Sequence, residues 1–352
     1  MRLTVNTKDL KKALELHKKV IQKVNVFILH GIRLKAIDGS LELYSTDLEF
    51  SLKSTLKANI DQDGEALVPL KNLENVVKSM STETINLELI DNKVKVGALS
   101  LNTLNPEEFP VCPEVIGKST VVDSGKFFDA LAELADCVSR DEDRVMMTGY
   151  CLNTTDNEIV ATDSYKLGLA KFDFSANIGK VIIPGKVYDL LKKVKAEELI
   201  ITTDDKQIIF NFDNIQLVSR LLIGKFPEYK QILDSLSCES VIEFEPGEMI
   251  KRLTTVQKIM KVDREVMPVR LTFETNKIAI DCEVKEIGTY SDDIKAVGTL
   301  KEPLQMAFNP SFMVDILKQF EGGVKLGITD EKRVIIIKQD EELRYLLMPI
   351  RT

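Results

Sequence analysis

Val68-Pro69-Leu70-Lys71-Asn72-Leu73-Glu74-Asn75-Val76-Val77 is the stretch on which the reading of the fold turns. A β-branched strand end runs into a proline, whose fixed φ and missing N–H suit the first turn of a helix. Leu70, Leu73, Val76, Val77 and Met80 then fall on one helical face. The same arrangement returns twice. Ile183-Pro184 opens a segment bearing Val187, Leu190, Leu191 and Val194, and Asn309-Pro310 opens one bearing Phe312, Ile316, Leu317 and Phe320. The three prolines lie 115 and 126 residues apart.

Working outward, a second series keeps step with the first. Leu3-Thr4-Val5 precedes a helical pattern with Leu10, Ala13 and Leu14; Thr120-Val121-Val122 precedes Phe127, Ala130 and Leu131; Ile242-Glu243-Phe244 precedes Met249 and Leu253. After each proline-opened helix come two strands of alternating pattern joined by an acidic turn with lysine, at Asp91-Asn92-Lys93, Asp204-Asp205-Lys206 and Asp330-Glu331-Lys332. Three copies of one unit predict an α+β protein of three tandem similar domains, each with two helices, roughly eight strands and antiparallel sheets. The boundaries are expected near residues 116 and 238, giving domains 1–116, 117–238 and 239–352, with Pro110-Val111-Cys112-Pro113 and Leu233 to Cys238 as linkers. Similar domains in tandem form an arc, and two arcs meeting head to tail close a ring when their rotations match.

Composition narrows the function classes. The 352 residues carry a net charge of −8, which argues against a DNA binder held by bulk electrostatics unless topology does the holding. Five cysteines, at 112, 137, 151, 238 and 282, have no metal-ligand spacing and read as reduced thiols of a cytoplasmic protein. There are two histidines, His17 and His30, and no phosphate-binding or nucleophile motif. No cofactor, metal, catalytic residue or membrane segment is expected. Lysines recur on the polar sides of the helices, at Lys8, Lys11, Lys12, Lys18, Lys19 and Lys23, at Lys71 and Lys78, at Lys186, Lys192, Lys193 and Lys195, and at Lys251, Lys258 and Lys261. Such a face meets phosphates without reading sequence.

Four motifs are recognisable. Ala161-Thr162-Asp163-Ser164-Tyr165-Lys166-Leu167 stands where one family has A-T-D-G-[HY]-R-L, and Gly224-Lys225-Phe226-Pro227-Glu228-Tyr229 where it has G-[RK]-F-P-[DE]-Y. Tyr345 to Thr352 resembles that family's terminal V-M-P-M/I-R, and Thr46-Asp47-Leu48-Glu49 a first-domain signature. In order and within a threefold repeat, they make the chain resemble the bacterial DNA sliding clamp, the β subunit of DNA polymerase III, along essentially its whole length. That resemblance implies a non-enzymatic homodimeric ring, a processivity factor that encircles duplex DNA in replication. It further implies partners: the polymerase III catalytic subunit, the clamp loader and other replication or repair proteins.

By the same resemblance, Met147, Thr162, Ser164, Tyr165, Lys166, Leu167, Pro227, Gln231, Ile232, Leu346, Leu347, Met348, Pro349, Ile350 and Arg351 would form a partner-peptide pocket between the second and third domains. Its apolar side chains would take leucine and phenylalanine anchors, and backbone groups of the tail would meet the peptide main chain. Lys23, Lys186 and Arg144 would face DNA. Leu99 and Leu101 would meet Ile259 and Met260 of a second copy. The chain departs from the family at Ser164 and Lys166, and has Val145 and Met146 where some members carry aromatic residues that touch DNA. Two other readings stand beside this one: a clamp-like scaffold that does not surround DNA, and a metal-dependent hydrolase using Asp163 or Asp47.

Overall fold

The computed structural model describes the chain apart from residues 23, 195, 236–237, 260, 263–264, 286, 301, 330–334, 339–342 and 351–352, together with the side chains of 235, 238–239, 261–262, 265–266, 335–336 and 343. Lys23, Met260, Arg351 and the turn expected at 330–332 lie outside the described residues. Both helix series are present: α1 (Thr7–Val20), α2 (Leu70–Ser79), α3 (Ser124–Leu134), α4 (Lys186–Leu191), α6 (Pro246–Ile259) and α7 (Pro310–Leu317). Between α4 and α6 lies α5 (Tyr229–Ser235), in a stretch expected to be motif and linker. It is two turns long, too short to show a helical period.

Local chemistry starts and stops these elements. Asn6 caps α1 by accepting from Lys8 N and Asp9 N, and Asn309 caps α7 by accepting from Ser311 N with Pro310 in the first turn. The apolar faces are buried as their spacing predicts, with Leu10, Leu14, Leu73, Val77, Leu131, Leu191, Leu253 and Leu317 at or near zero exposure. Asp91 and Asn92 take positive φ at the tip of the hairpin joining Thr84–Ile90 to Lys93–Val96, as a two-residue turn requires.

The contacts divide the chain into two compact units: residues 1–128, 174–178 and 186–221, and residues 129–173, 179–185 and 222–352. The first contains a twelve-stranded sheet, in which strand Phe50–Gln62 pairs antiparallel with strand Ile215–Arg220. The second contains a nine-stranded sheet, in which strand Lys166–Lys171 pairs with strand Leu343–Leu347, and a four-stranded sheet ending at strand Gly288–Lys295. Sheet hydrogen bonds therefore join stretches far apart in sequence, and this is why compactness does not follow the three-part repeat.

Candidate partner-binding site

Three motifs from distant parts of the chain meet in the second unit. Strand Glu158–Thr162 ends in a turn built by its own side chains. Asp163 Oδ1 accepts from Tyr165 N and Lys166 N, both at 2.9 Å, while Thr162 Oγ1 donates to Lys166 O at 2.9 Å and accepts from Ser164 N at 3.2 Å. Ser164 sits at φ +77°, in the left-handed region that favours glycine, which accounts for the glycine of the family pattern. From this turn the chain enters strand Lys166–Lys171, where Leu167 lies opposite Leu346 and Lys166 opposite Leu347.

Strand alternation then sorts the residues. Leu167 and Leu346 face a cluster with Cys151, Val160, Leu169, Ile182, Phe226 and Tyr229, against which Met146, Leu222 and Leu233 pack. Phe226 and Tyr229 meet edge to face at 6.3 Å, so the F-P-[DE]-Y segment and α5 are fixed through their rings. Pro227 is half-buried beside this cluster, while Gln231 and Ile232 on α5 and Met348 beyond the strand are exposed. This gives an apolar floor with an accessible rim.

Leu347 departs from the expectation. It is 0% exposed, and register places it with Lys166 on the face opposite Leu346, so its side chain cannot line the same wall. In the tail, the backbone donors are already used. Met348 N donates to Tyr165 O at 2.9 Å and Ile350 N to Ala307 O at 2.7 Å, and Pro349 has no N–H, so 348–350 has no spare donor for a peptide.

On the other side of the turn is a cleft of about 340 Å³ whose lining includes Arg140, Arg144, Asp163, Tyr165, Lys166 and Phe312. Lys166 is nearly buried, paired with Asp163 Oδ2 at 2.8 Å, and its ammonium lies 4.4 Å from the Phe312 ring centre. Tyr165 stacks on Phe312 at 5.9 Å. Burial, and then the Asp136 carboxylate, hold Asp315 in this cleft above the usual carboxylate range. Ser164 and Met147 meet at its turn, the Ser164 hydroxyl donating to the Met147 sulfur at 3.2 Å.

The first unit repeats the turn at Thr46 to Phe50. Asp47 Oδ1 accepts from Glu49 N and Phe50 N, Thr46 Oγ1 donates to Phe50 O, and Leu48 sits at φ +75°. Arg220 N donates to Glu49 O as Met348 N does to Tyr165 O. The cation and the ring have exchanged places. Here Lys186 from α4 pairs with Asp47 at 2.9 Å and lies 4.6 Å from the ring of the strand residue Phe50. Asp163 and Asp47, the aspartates of the hydrolase reading, thus organise turns and hold lysines.

Of the residues expected to face DNA, Lys186 and Arg144 are engaged within the protein. Lys186 is held by Asp47, and Arg144 pairs with Asp141 at 3.2 Å while donating to Asp163 O. A cluster not singled out from sequence stands out on α1 and beyond α4: Lys19 donates to Asp189 O, and burial, then Lys193 and Lys192, lower its pKa. The recurring lysines were visible, but not which of them gather. At the expected subunit contact, Leu99 is 48% and Ile259 53% exposed, whereas Leu101, on the same strand face as Leu99, is buried.

Among the described residues no group of three or more His, Cys, Asp or Glu side chains is placed to hold a metal, and no helix is long and apolar enough to cross a membrane. Comparison with known proteins agrees along the chain. It is 25% identical to the beta sliding clamp of Staphylococcus epidermidis over 95% of both chains. Its fold matches the crystal structure of the DNA polymerase sliding clamp from Bacillus subtilis with a TM-score of 0.92 at 23% identity, covering 100% of this chain and 99% of that one. It also matches a sliding clamp from Bartonella birtlesii bound to griselimycin, with a TM-score of 0.90 at 24% identity and full coverage of both. The N-terminal, central and C-terminal domain models of the DNA polymerase III beta subunit match residues 1–113, 122–228 and 237–351, and the chain, three tandem clamp domains, belongs to that family.

Proposed function

We propose that this protein is a DNA sliding clamp, a ring component without catalytic activity that surrounds duplex DNA and tethers polymerases to it. The observation that carries the reading is the pairing of strand Leu343–Leu347 with strand Lys166–Lys171, which sets Leu346 beside Leu167 over Phe226 and Tyr229. A floor of that kind accepts the apolar anchors of a short peptide, and the flexible Met146 and Met348 at its edge suit varied partners. The ligand-bound Bartonella clamp supports a binding role for this fold. The polymerase III catalytic subunit, the clamp loader and repair polymerases are the partners such a floor would serve in the cytoplasm.

Ring closure is supported by two open sheet edges. Strand Leu99–Asn102 ends the sheet of the first unit, beside Lys93 and Lys95, and strand Gly288–Lys295 ends a sheet of the second, carrying Asp292 and Asp293. Unlike edges attract and like edges repel, which favours a head-to-tail homodimer sealed by exposed Leu99 and Ile259. Lys19, Lys192 and Lys193 meet the DNA backbone, and Lys23, Lys186 and Arg144 add positive charge for it. The domain boundaries near 116 and 238 belong to the same reading.

Replacing Leu346 and Met348 together by alanine removes an apolar wall and its rim. Anisotropy with a fluorescent peptide bearing leucine and phenylalanine anchors should show binding lost while sedimentation shows the dimer intact. Unchanged affinity overturns the pocket.

A further inference from the structure

One polar group sits beneath this apolar site. Asn153 ends strand Gly149–Asn153 and pairs across the hairpin with Glu158, which begins the strand leading to the Thr162–Lys166 turn. Both are buried. Between them lies the Tyr229 hydroxyl, accepting from Asn153 Nδ2 at 2.7 Å and donating to Glu158 Oε2 at 2.9 Å. The other Glu158 oxygen is held by Lys171 at 2.6 Å, and the Asn153 amide also donates to Asp156 Oδ2, which pairs with Lys230 next to Tyr229 on α5.

We propose that Tyr229 is a positioning residue for the peptide pocket: its hydroxyl, bound into the Asn153–Glu158 pair, fixes the distance between α5 and the strands that carry Leu167 and Leu346. The proposal rests on the pocket reading above. Pro227, Gln231 and Ile232 stand on the α5 side, and Leu167 and Leu346 on the strand side. Phe226 and the Tyr229 ring supply attraction between the two walls but no register, because apolar contacts are not directional. The two hydrogen bonds supply the register, and the one to a buried carboxylate is the stronger kind. Removing the hydroxyl leaves Glu158 Oε2 without its donor, so the carboxylate turns toward Lys171 and α5 loses its fixed point.

The test compares Tyr229→Phe, Glu158→Ala, Glu158→Gln and Leu346→Ala in the full-length protein. The readout is anisotropy of the same fluorescent peptide, well below each melting midpoint. Glutamine keeps a carbonyl for the Tyr229 hydroxyl, and half-exposed Lys171 gives up its ion pair at little cost. Tyr229→Phe, which removes both hydrogen bonds, should weaken binding about tenfold, Glu158→Ala, which removes the stronger one, by several fold, and the two together no more than Tyr229→Phe alone. Glu158→Gln should stay within about twofold of the parent, which a general loss of stability would not produce. Normal affinity in Tyr229→Phe, with binding abolished in Leu346→Ala, overturns the positioning role. If Tyr229→Phe does not fold, equal losses in the two Glu158 variants overturn it in the same way. Unchanged affinity in Leu346→Ala strikes at the pocket itself instead.

Discussion

Ser164 holds a backbone conformation that its side chain disfavours, at φ +77° in the turn that feeds the pocket. Ser164→Gly should raise stability by about 0.5–1 kcal/mol, measured by chemical denaturation, because glycine adopts that region without a Cβ clash. A destabilised variant would mean that the Ser164 contact to Met147 outweighs the strain. His17 supplies a second test. It is fully buried, with its ring nitrogens 2.7 and 2.9 Å from the hydroxyls of Ser45 and Ser54, and burial pushes its pKa down from 6.5 to about 3. In the unfolded chain it takes up a proton below pH 6.5, while in the fold it stays neutral. Its contribution is therefore intact above that pH and lost as pH falls toward 3, by up to about 1.4 kcal/mol per pH unit. Melting temperature should fall less steeply over this window in His17→Gln; an equal slope contradicts the assignment. Sequence showed His17 only as a histidine without metal spacing, because its partners lie 28 and 37 residues away on strands.

At the scale of elements, the proline-opened helices and the alternating strands were legible because burial imposes a period on them. Helix α5 was not, since its anchoring comes from Phe226, Tyr229 and a polar pair on another hairpin rather than from its own pattern. The motifs that meet over this floor were legible, but the strand face that each residue takes was not. Only the register of Lys166 with Leu347 and Leu167 with Leu346 shows that Leu347 leaves the wall. The exchange of lysine and phenylalanine between the two turns was equally hidden. Lys166 with Phe312 in one unit answers to Phe50 with Lys186 in the other, and neither pair is local. Lys186→Met should therefore lower the melting temperature, by leaving the shielded Asp47 carboxylate without its cation. A variant with unchanged melting but weakened DNA retention would mean that Lys186 serves DNA rather than the Asp47 turn.

At the scale of the whole molecule, the threefold repeat predicted the architecture, and a net charge of −8 is compatible with DNA only if enclosure replaces adhesion. Ile259→Asp places a charge at the exposed apolar end of α6 and should shift the dimer toward monomer in sedimentation, since a carboxylate trapped in an apolar seam costs several kcal/mol. A persistent dimer would place the contact elsewhere. Enclosure itself is tested most directly by loading the protein onto a nicked circular plasmid with a clamp loader, removing free protein by gel filtration, and cutting half of the sample with a single-site nuclease. The account predicts that protein stays with the intact circle and leaves the linear DNA at the same salt concentration. Equal retention on both, or release from both as salt rises, would contradict it.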